Sequence, residues 1–333
     1  MELIKLPKIE LHCHLDGSVR PETIVDISKK ENISIPSSDI NIIREMMIAP
    51  LECKSLSEYL ERFELPINIM QTKESLKRVA YELMEDAAKE NIKYIEIRFA
   101  PLLHTKKGLT VEEIISSVLE GIKAGENNYD IKGNLILSCL RYAPVDTVYE
   151  VIEAGRKFLG SGVVAIDLCG NEEAEFCERY IDPIVLAREY GYRVTIHAGE
   201  TGIGKNVLDA VKMLKAERIG HGVFIKDYSE AYDIVKDKEI TLEMCPTSNI
   251  QTKAVNSYGE HPIFNFYNDG IKVTINTDNR TVSNTTLSNE YISIFKEFNL
   301  TYEDYKEFYY NSVDAAFINE ETKEQLKKLI ENK

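Results

Sequence analysis

A parallel (β/α)8 barrel is the fold class that this 333-residue sequence predicts. Short apolar or β-branched runs alternate with amphipathic segments, and eight such runs follow one another along the chain. No proline-rich, glycine/serine-rich or low-complexity linker interrupts them, so we expect residues 1–333 to form one barrel domain. In a barrel of this kind the active site lies at the carboxyl ends of the strands.

The eight predicted strands have the spacing of repeated strand-helix units. In order, they are KIELHCH from Lys8, KYIEIRFA from Lys93, NLILSCLRY from Asn134, GVVAIDLCG from Gly162, YRVTIHAGE from Tyr192, RIGHGV from Arg218, ITLEMCPTS from Ile240 and IKVTINTDN from Ile271. The intervening segments TKESLKRVAYELMEDAAKE and NVLDAVKMLKAE carry apolar residues at three-to-four spacing, which predicts amphipathic helices.

The connection between the first two strands, residues 17–92, is much longer than the others and predicts a helical insertion. It contains LSEYLERFELPINIM, which has the pattern of an amphipathic helix with Leu60 and Phe63 on its apolar face. Two interpretations stay open for this segment. It either forms a lid that closes over the barrel mouth or packs as plain scaffold against the outside.

Composition and charge exclude several classes of partner. The net charge of -15 and the pI near 5.0 argue against binding to nucleic acid or to an anionic membrane surface, and favour a neutral or cationic small molecule. The six cysteines include no C-x-x-C pair, which is typical of reduced and mostly buried thiols. No apolar segment has the length of a signal peptide or a membrane span, so we expect a cytoplasmic protein. Nothing in the sequence predicts an oligomeric state.

Four of the six histidines stand at predicted strand ends. His12 and His14 end the first strand, where side chains at alternate positions leave the same face. His197 ends the fifth strand and His221 the sixth, while Asp278 ends the eighth. The remaining two histidines, at positions 104 and 261, lie in polar, loop-like sequence, and we expect them at the surface or in secondary roles.

Three neutral imidazoles and one carboxylate form a ligand set that suits Zn²⁺ and leaves room for a water whose pKa the metal lowers. Attack by such a water needs an acid for the atom that gains electrons and a partner that orients or deprotonates the water; Glu200 fits the first role and His221 the second. Glu200 has an alternative interpretation, as a helix-start carboxylate that interacts with backbone amides in AGETGIG. The predicted ligands of one zinc ion per chain are His12, His14, His197 and Asp278.

The motifs HCHLDGS, HAGE, GHG and NTDN, in this order within a barrel pattern, closely resemble the adenosine deaminases of the metal-dependent amidohydrolase superfamily. The resemblance spans essentially the whole chain. It implies hydrolytic deamination at purine C6, which converts adenosine or 2'-deoxyadenosine to inosine or 2'-deoxyinosine plus ammonia, a reaction of purine salvage. It also implies that Glu200 donates a proton to purine N1 and that His221 aligns the hydrolytic water.

The same resemblance implies contacts to the substrate. Asp16 would bond the ribose end, and Gly170 of DLCGN would offer its backbone to purine N3. Apart from the resemblance, we expect His14 to contact the substrate and Phe63 to contact the nucleoside from the insertion. One position departs from the family pattern. Many members carry a second aspartate against purine N7, whereas this chain has Asn279, whose amide can donate to the N7 acceptor.

Several rivals stay open. An adenine deaminase and a deaminase of 5'-modified adenosines are similar to this pattern, although adenine deaminases tend to carry glutamate where this chain has Asp16. A nucleoside-binding protein without catalysis is the alternative from another class. The DLCGN motif has no lysine to bridge two metals, which favours one metal, and EMCPTSN has only one cysteine, which excludes the zinc deaminases with a P-C-x-x-C signature.

Overall fold

The computed structural model describes residues 2–50 and 53–331 and contains the predicted barrel. Eight strands pair in parallel in sequence order, which confirms the (β/α)8 fold class. Most strands end one to four residues before the ends of the predicted runs. The strands are β1 (Lys8–His14), β2 (Ile92–Phe99), β3 (Lys132–Leu140), β4 (Val163–Cys169), β5 (Arg193–Ala198), β6 (Arg218–His221), β7 (Thr241–Met244) and β8 (Val273–Ile275).

Fifteen α-helices surround the strands within the described residues. Three of them begin at capping boxes, in which Thr72, Thr110 and Thr301 each accept the N–H of the residue three positions later. The helices are α1 (Pro21–Glu31), α2 (Ile40–Met47), α3 (Leu56–Leu60), α4 (Glu64–Ile69), α5 (Lys73–Lys89), α6 (Val111–Asn128), α7 (Asp146–Gly155), α8 (Ile181–Tyr190), α9 (Lys205–Lys212), α10 (Ser229–Asp237), α11 (Pro246–Gln251), α12 (Ile263–Asn268), α13 (Leu287–Glu297), α14 (Tyr302–Ala315) and α15 (Glu320–Glu331). Among the described residues, none of these helices combines the length and apolar character needed to cross a bilayer.

The barrel closes between β8 and β1, directly beside the predicted metal ligands. The N–H of His14 donates to the carbonyl of Asp278 at 2.7 Å, and the N–H of Asp278 donates to the carbonyl of His12 at 2.9 Å. Farther down the seam, the N–H of Leu11 donates to Asn276 Oδ1 at 3.0 Å. The backbone that closes the fold therefore also carries site residues.

The long connection after β1 forms α1 to α5, as the predicted insertion, but LSEYLERFELPINIM is not one helix. It divides into α3, a 3-10 turn at Glu61–Phe63, and α4. Pro66 explains the break, because its ring would clash with the carbonyl of residue 62 in a continuous α-helix. Tyr59 and Phe63 from this segment pack with Val282, which follows β8, so the insertion covers the carboxyl end of the barrel.

The interior of the barrel contains charged side chains as well as apolar ones. Glu243 of β7 lies between two fully buried guanidinium groups, 2.6 Å from Arg98 Nη2 and 2.6 Å from Arg218 Nε. Arg218 also donates to Glu96 at 2.5 Å. Such a network is stable only when every charge is paired, and it links the core to the site above it. All six cysteines are buried free thiols, as predicted.

Candidate active site

The predicted metal-binding residues converge at the carboxyl ends of the strands. The ligand atoms of three of them, His12, His197 and Asp278, lie together with a ring nitrogen of His221 within 4.8 Å of one another. His14 adjoins this group, with its Nε2 at 3.2 Å from His197 Nε2 and 3.4 Å from Asp278 Oδ1. The structure thus brings together all four predicted ligands and adds His221 to the same cluster.

Two of these residues have an uncommon backbone conformation. His221 and Asp278 have φ angles of 64° and 59°, in the left-handed region that few residues other than glycine adopt. These positions lie where the strands end and the chain turns, so the turn aims the side chains toward the barrel axis. Strained backbone of this kind is commonly found at functional sites.

A second layer of buried side chains orients the histidines. His12 Nδ1 lies 2.9 Å from Glu243 Oε2, and His197 Nδ1 lies 2.9 Å from Asp167 Oδ1. A carboxylate can only accept, so both rings place a proton on Nδ1 and a lone pair on Nε2, which faces the cluster. The sequence analysis missed Glu243 and Asp167. Their signal was a single charged residue inside an otherwise apolar strand.

Asp278 is the carboxylate of the cluster and is held ionised. Burial opposes its charge, but the neighbouring imidazoles, that of His12 first, lower the pKa of Asp278 below its usual range. The hydroxyl of Ser248 donates to its second oxygen at 2.6 Å. Burial also lowers the pKa of His14 and His197, which keeps these two rings neutral and able to bind a cation.

Glu200 differs from Asp278 because its surroundings favour the protonated form of the carboxyl. It is 4% exposed, and burial, with the charges of Asp278 and Glu172 adding to it, raises the pKa of Glu200 to about 8. Its Oε2 lies 3.6 Å from His221 Nε2. Beside an ionised carboxylate, the structure therefore holds a second carboxyl that is protonated at neutral pH, an arrangement suited to acid catalysis.

The backbone amides near Glu200 belong to another residue. The carboxylate of Glu172 accepts the N–H of Gly199 at 2.7 Å and those of Glu200 and Thr201 at 2.9 Å each. The alternative interpretation, in which Glu200 itself caps these amides, is therefore wrong. Glu172, which the sequence analysis missed, holds the loop and leaves the Glu200 side chain free to face the cluster.

An apolar cavity lies above the cluster, with about 770 Å³ of empty volume including its open mouth. The insertion supplies one wall, and the polar floor is formed by the histidines, Glu200 and Asp278. Residues of the predicted substrate contacts also line it, namely His14, Asp16, Phe63, Gly170 and Asn279. Asp16 is buried, burial raises its pKa to about 6, and its Oδ1 has no hydrogen-bond partner within the described part of the chain.

Asn279 is held by the insertion. Its Nδ2 donates to the hydroxyl of Tyr59 at 2.9 Å, and this hydroxyl lies 2.6 Å from Ser283 Oγ. On the other side, a Cβ atom on Gly17 would lie 1.8 Å from Asn279 Oδ1, so only glycine fits there. One amide hydrogen of Asn279 is thus committed to Tyr59, a residue that the sequence analysis did not connect with this position.

The prediction that His104 and His261 lie at the surface is wrong. Both side chains are buried, at 0% and 2% exposure. His104 stacks on Phe99 and its Nδ1 lies 2.9 Å from the carbonyl of Met70. His261 contacts Asn249, which in turn contacts His221. Their polar neighbours in sequence suggested exposure, but packing from distant parts of the chain covers them.

A parallel barrel with a buried histidine-aspartate cluster and a protonated glutamate defines a hydrolase site of the metal-compatible kind. Comparison with known proteins narrows the class. The family model described as adenosine deaminase matches residues 7–333, and the chain belongs to the adenosine deaminase family.

Similar proteins agree with this assignment. An adenosine deaminase of Clostridium perfringens is 59% identical over 98% of both chains, and one of Clostridium botulinum is 58% identical over 99% of this chain and 100% of its own length. Among solved structures, an N6-mAMP deaminase of Arabidopsis matches with a TM-score of 0.88 at 27% identity, over 99% of each chain. The adenine deaminase of Arthrobacter aurescens, at 24% identity, shares the fold with a TM-score of 0.91 over 98% of each chain.

Proposed function

We propose that this chain catalyses the zinc-dependent hydrolytic deamination of adenosine and 2'-deoxyadenosine to inosine and 2'-deoxyinosine, with release of ammonia. Family membership and relatives of about 58% identity named adenosine deaminase support the reaction. The single observation that carries the chemistry is Glu200, whose pKa burial raises to about 8, beside the cluster of histidines and ionised Asp278 at the floor of an apolar cavity.

The donor set fits one Zn²⁺, with His12, His14, His197 and Asp278 as the proposed ligands. His12 Nε2 is buried and, among the described residues, has no hydrogen-bond partner, which suits a nitrogen kept for a cation. Imidazole nitrogen and carboxylate oxygen are ligands that zinc prefers, and no lysine follows β4 to bridge a second metal. When bound, the metal would supply a water whose pKa is lowered toward neutrality.

The residues of this chain supply the remaining chemistry. Attack at C6 pushes electrons onto N1 of the purine, and Glu200 holds the proton that N1 takes up. His221, next to Glu200, orients the attacking water. Leucine and aromatic side chains of the insertion exclude bulk water from the reacting atoms, which strengthens these electrostatic interactions.

The substrate contacts follow from the cavity wall. We assign Asp16 to a hydroxyl of the ribose, because its unpartnered Oδ1 is an acceptor that a sugar hydroxyl can satisfy. His14 also lines the cavity, and we assign it a further contact to the substrate. Gly170 is held by a hydrogen bond from Arg141 to its carbonyl, and we assign its N–H to purine N3. Asn279 has a second amide hydrogen for N7, and Phe63 covers the nucleoside.

The cavity favours a nucleoside over a nucleotide. No lysine or arginine is among the described residues that line it, whereas Asp16, Glu200 and Asp278 are acidic. A 5'-phosphate would meet Asp16 without a cation to neutralise it, which disfavours binding. Two solved relatives of 27% identity are described as complexes with IMP and GMP; the acidic lining predicts that this chain does not share that preference.

The decisive test is ammonia release from adenosine, 2'-deoxyadenosine, adenine and AMP, together with metal analysis. We expect one zinc per chain and turnover of the two nucleosides. Glu200→Gln should lower kcat by at least ~10²-fold while zinc stays bound, since it removes only the transferable proton. Turnover of adenine or AMP in preference to adenosine would change the substrate assignment. Activity that survives complete removal of metal, or no turnover of any purine, would reject the proposal.

A further inference from the structure

Three hydrogen bonds connect the start of α12 to His221 through buried side chains. The N–H of Ile263 donates to His261 Nδ1 at 3.2 Å. His261 Nε2 lies 3.1 Å from Asn249 Oδ1, and Asn249 Nδ2 lies 3.0 Å from His221 Nδ1. His261, Asn249 and His221 are at most 2% exposed, so water does not compete for these bonds.

The first of these three hydrogen bonds, from the N–H of Ile263, determines which atom donates in the other two. A backbone N–H can only donate, so His261 Nδ1 carries a lone pair and the neutral ring carries its proton on Nε2. That proton must meet an acceptor, which places the oxygen of Asn249 toward His261 and its NH2 group toward His221. His221 Nδ1 is therefore an acceptor, and the proton of its neutral ring is on Nε2.

We propose that His261 and Asn249 are positioning residues that hold His221 in the Nε2–H tautomer, so that His221 enters the site as a hydrogen-bond donor. The role of this donor rests on the proposed function, but the tautomer itself does not. The chain of bonds reaches from a helix start outside the cavity to the reacting centre.

The tautomer separates His221 from its neighbours in the cluster. His12 and His197 have carboxylate partners at Nδ1 and present a lone pair at Nε2, whereas His221 has an amide donor at Nδ1 and presents an N–H. An N–H cannot bind a cation or remove a proton. It can hold the oxygen of the attacking water through a lone pair and stabilise the negative charge that develops there.

The first test is nitrogen NMR of histidine-labelled protein without metal, which reads the tautomer directly. We expect the His221 signals, identified by their loss in His221→Gln, to show an unprotonated Nδ1 and a protonated Nε2. A protonated Nδ1 with an unprotonated Nε2 in the wild-type protein would overturn the inference. The measurement does not involve turnover, so failure of the proposed function leaves its outcome unaffected.

The second test uses three substitutions. His261→Leu frees the Asn249 amide to turn and accept from His221, so the Nδ1–H form should appear and kcat should fall at least ~10-fold with little change in KM. His261→Gln carries an acceptor and a donor in the same order and should restore the Nε2–H form and most of kcat. His104→Leu is the matched control, because it removes another buried histidine that does not contact His261, Asn249 or His221.

The outcomes decide between a positioning role and a packing role. If His261→Leu lowers thermal stability but leaves the His221 signals and kcat as in the His104→Leu control, His261 only packs and the inference fails. If His261→Leu changes the signals and kcat while His261→Gln restores both, the hydrogen-bond order is responsible. A Gln variant that behaves as the Leu variant does would also contradict the inference.

Discussion

Glu290 on α13 provides a quantitative test of the structure through the pH dependence of stability. Its side chain is fully buried, accepts the N–H of Thr247 at 3.1 Å and lies 2.5 Å from the hydroxyl of Thr285. Thr247 is in α11, directly before Ser248 and Asn249, which contact Asp278 and His221. Glu290 thus anchors the segment that orients two residues of the site.

Burial raises the pKa of Glu290 to about 7, from the 4.5 of an exposed glutamate. Since the folded pKa is above the unfolded value, the folded chain binds the proton more tightly. Stability is therefore highest below the unfolded pKa and falls as pH rises from 4.5 to about 7. At 1.36 kcal/mol for each pKa unit, the full loss is about 3 kcal/mol above that window.

Glu290→Gln removes this pH dependence while preserving the size of the side chain. Glutamine can accept from the Thr247 N–H and donate to the Thr285 hydroxyl, which is the pattern of the protonated acid. Relative to wild type, the variant should gain about 2–3 kcal/mol of unfolding free energy at pH 8.5 compared with pH 5. Urea unfolding at the two pH values measures this gain.

The control is Glu189→Gln, which makes the same change on the exposed surface of α8. If Glu290→Gln gives the same difference from wild type at pH 5 and pH 8.5, the carboxyl does not change its protonation on unfolding. The assignment of Glu290 as a neutral anchor would then be incorrect.

Three further predictions concern the cavity wall. Phe63→Ala should raise KM several-fold more than it lowers kcat, because a lid contact supplies uniform binding; a change in thermal stability alone would identify the segment as scaffold. The enzyme should prefer adenosine to 7-deazaadenosine by roughly 5- to 150-fold in kcat/KM, the effect of one unpaired buried amide, and Asn279→Ala should abolish this preference; equal kcat/KM for both substrates on the wild type would show that Asn279 does not contact N7. Tyr59→Phe should reduce the preference for adenosine over 7-deazaadenosine, but by less than Asn279→Ala does. It should also lower the free energy of unfolding by about 1–3 kcal/mol, because it leaves Asn279 and Ser283 without their hydrogen-bond partner. An unchanged preference would show that Tyr59 does not contribute to substrate recognition.

The sequence was sufficient for the barrel because its strands are continuous apolar runs that end in polar residues. The same ends located the histidines, Glu200 and Asp278, which the structure brings together, and their roles stay predictions. The position of the insertion was predicted, but the division of LSEYLERFELPINIM into two helices was not. The apolar spacing is that of one helix, and it does not show the effect of Pro66.

Residues that act through other residues could not be found from local sequence. Glu243 and Asp167 look like isolated charges within strands, and only the tertiary structure shows that each contacts a histidine from another strand. His261 lies in a loop-like stretch, yet it is buried and contacts Asn249 of α11 and the N–H of Ile263 of α12. The contact between Tyr59 and Asn279 joins positions that are distant in sequence.

The seam between β1 and β8 has a consequence for mutational studies of this protein. Its backbone hydrogen bonds involve His12, His14 and Asp278, so the same few peptides both complete the cylinder and present groups for chemistry. A substitution that shifts Asp278 out of its left-handed backbone conformation would break the β1–β8 hydrogen bonds and also move the Asp278 carboxylate out of the site. Variants at these positions should therefore be checked for barrel closure as well as for activity, whereas Glu200 lies on a loop outside the seam and its side chain takes no part in closing the barrel.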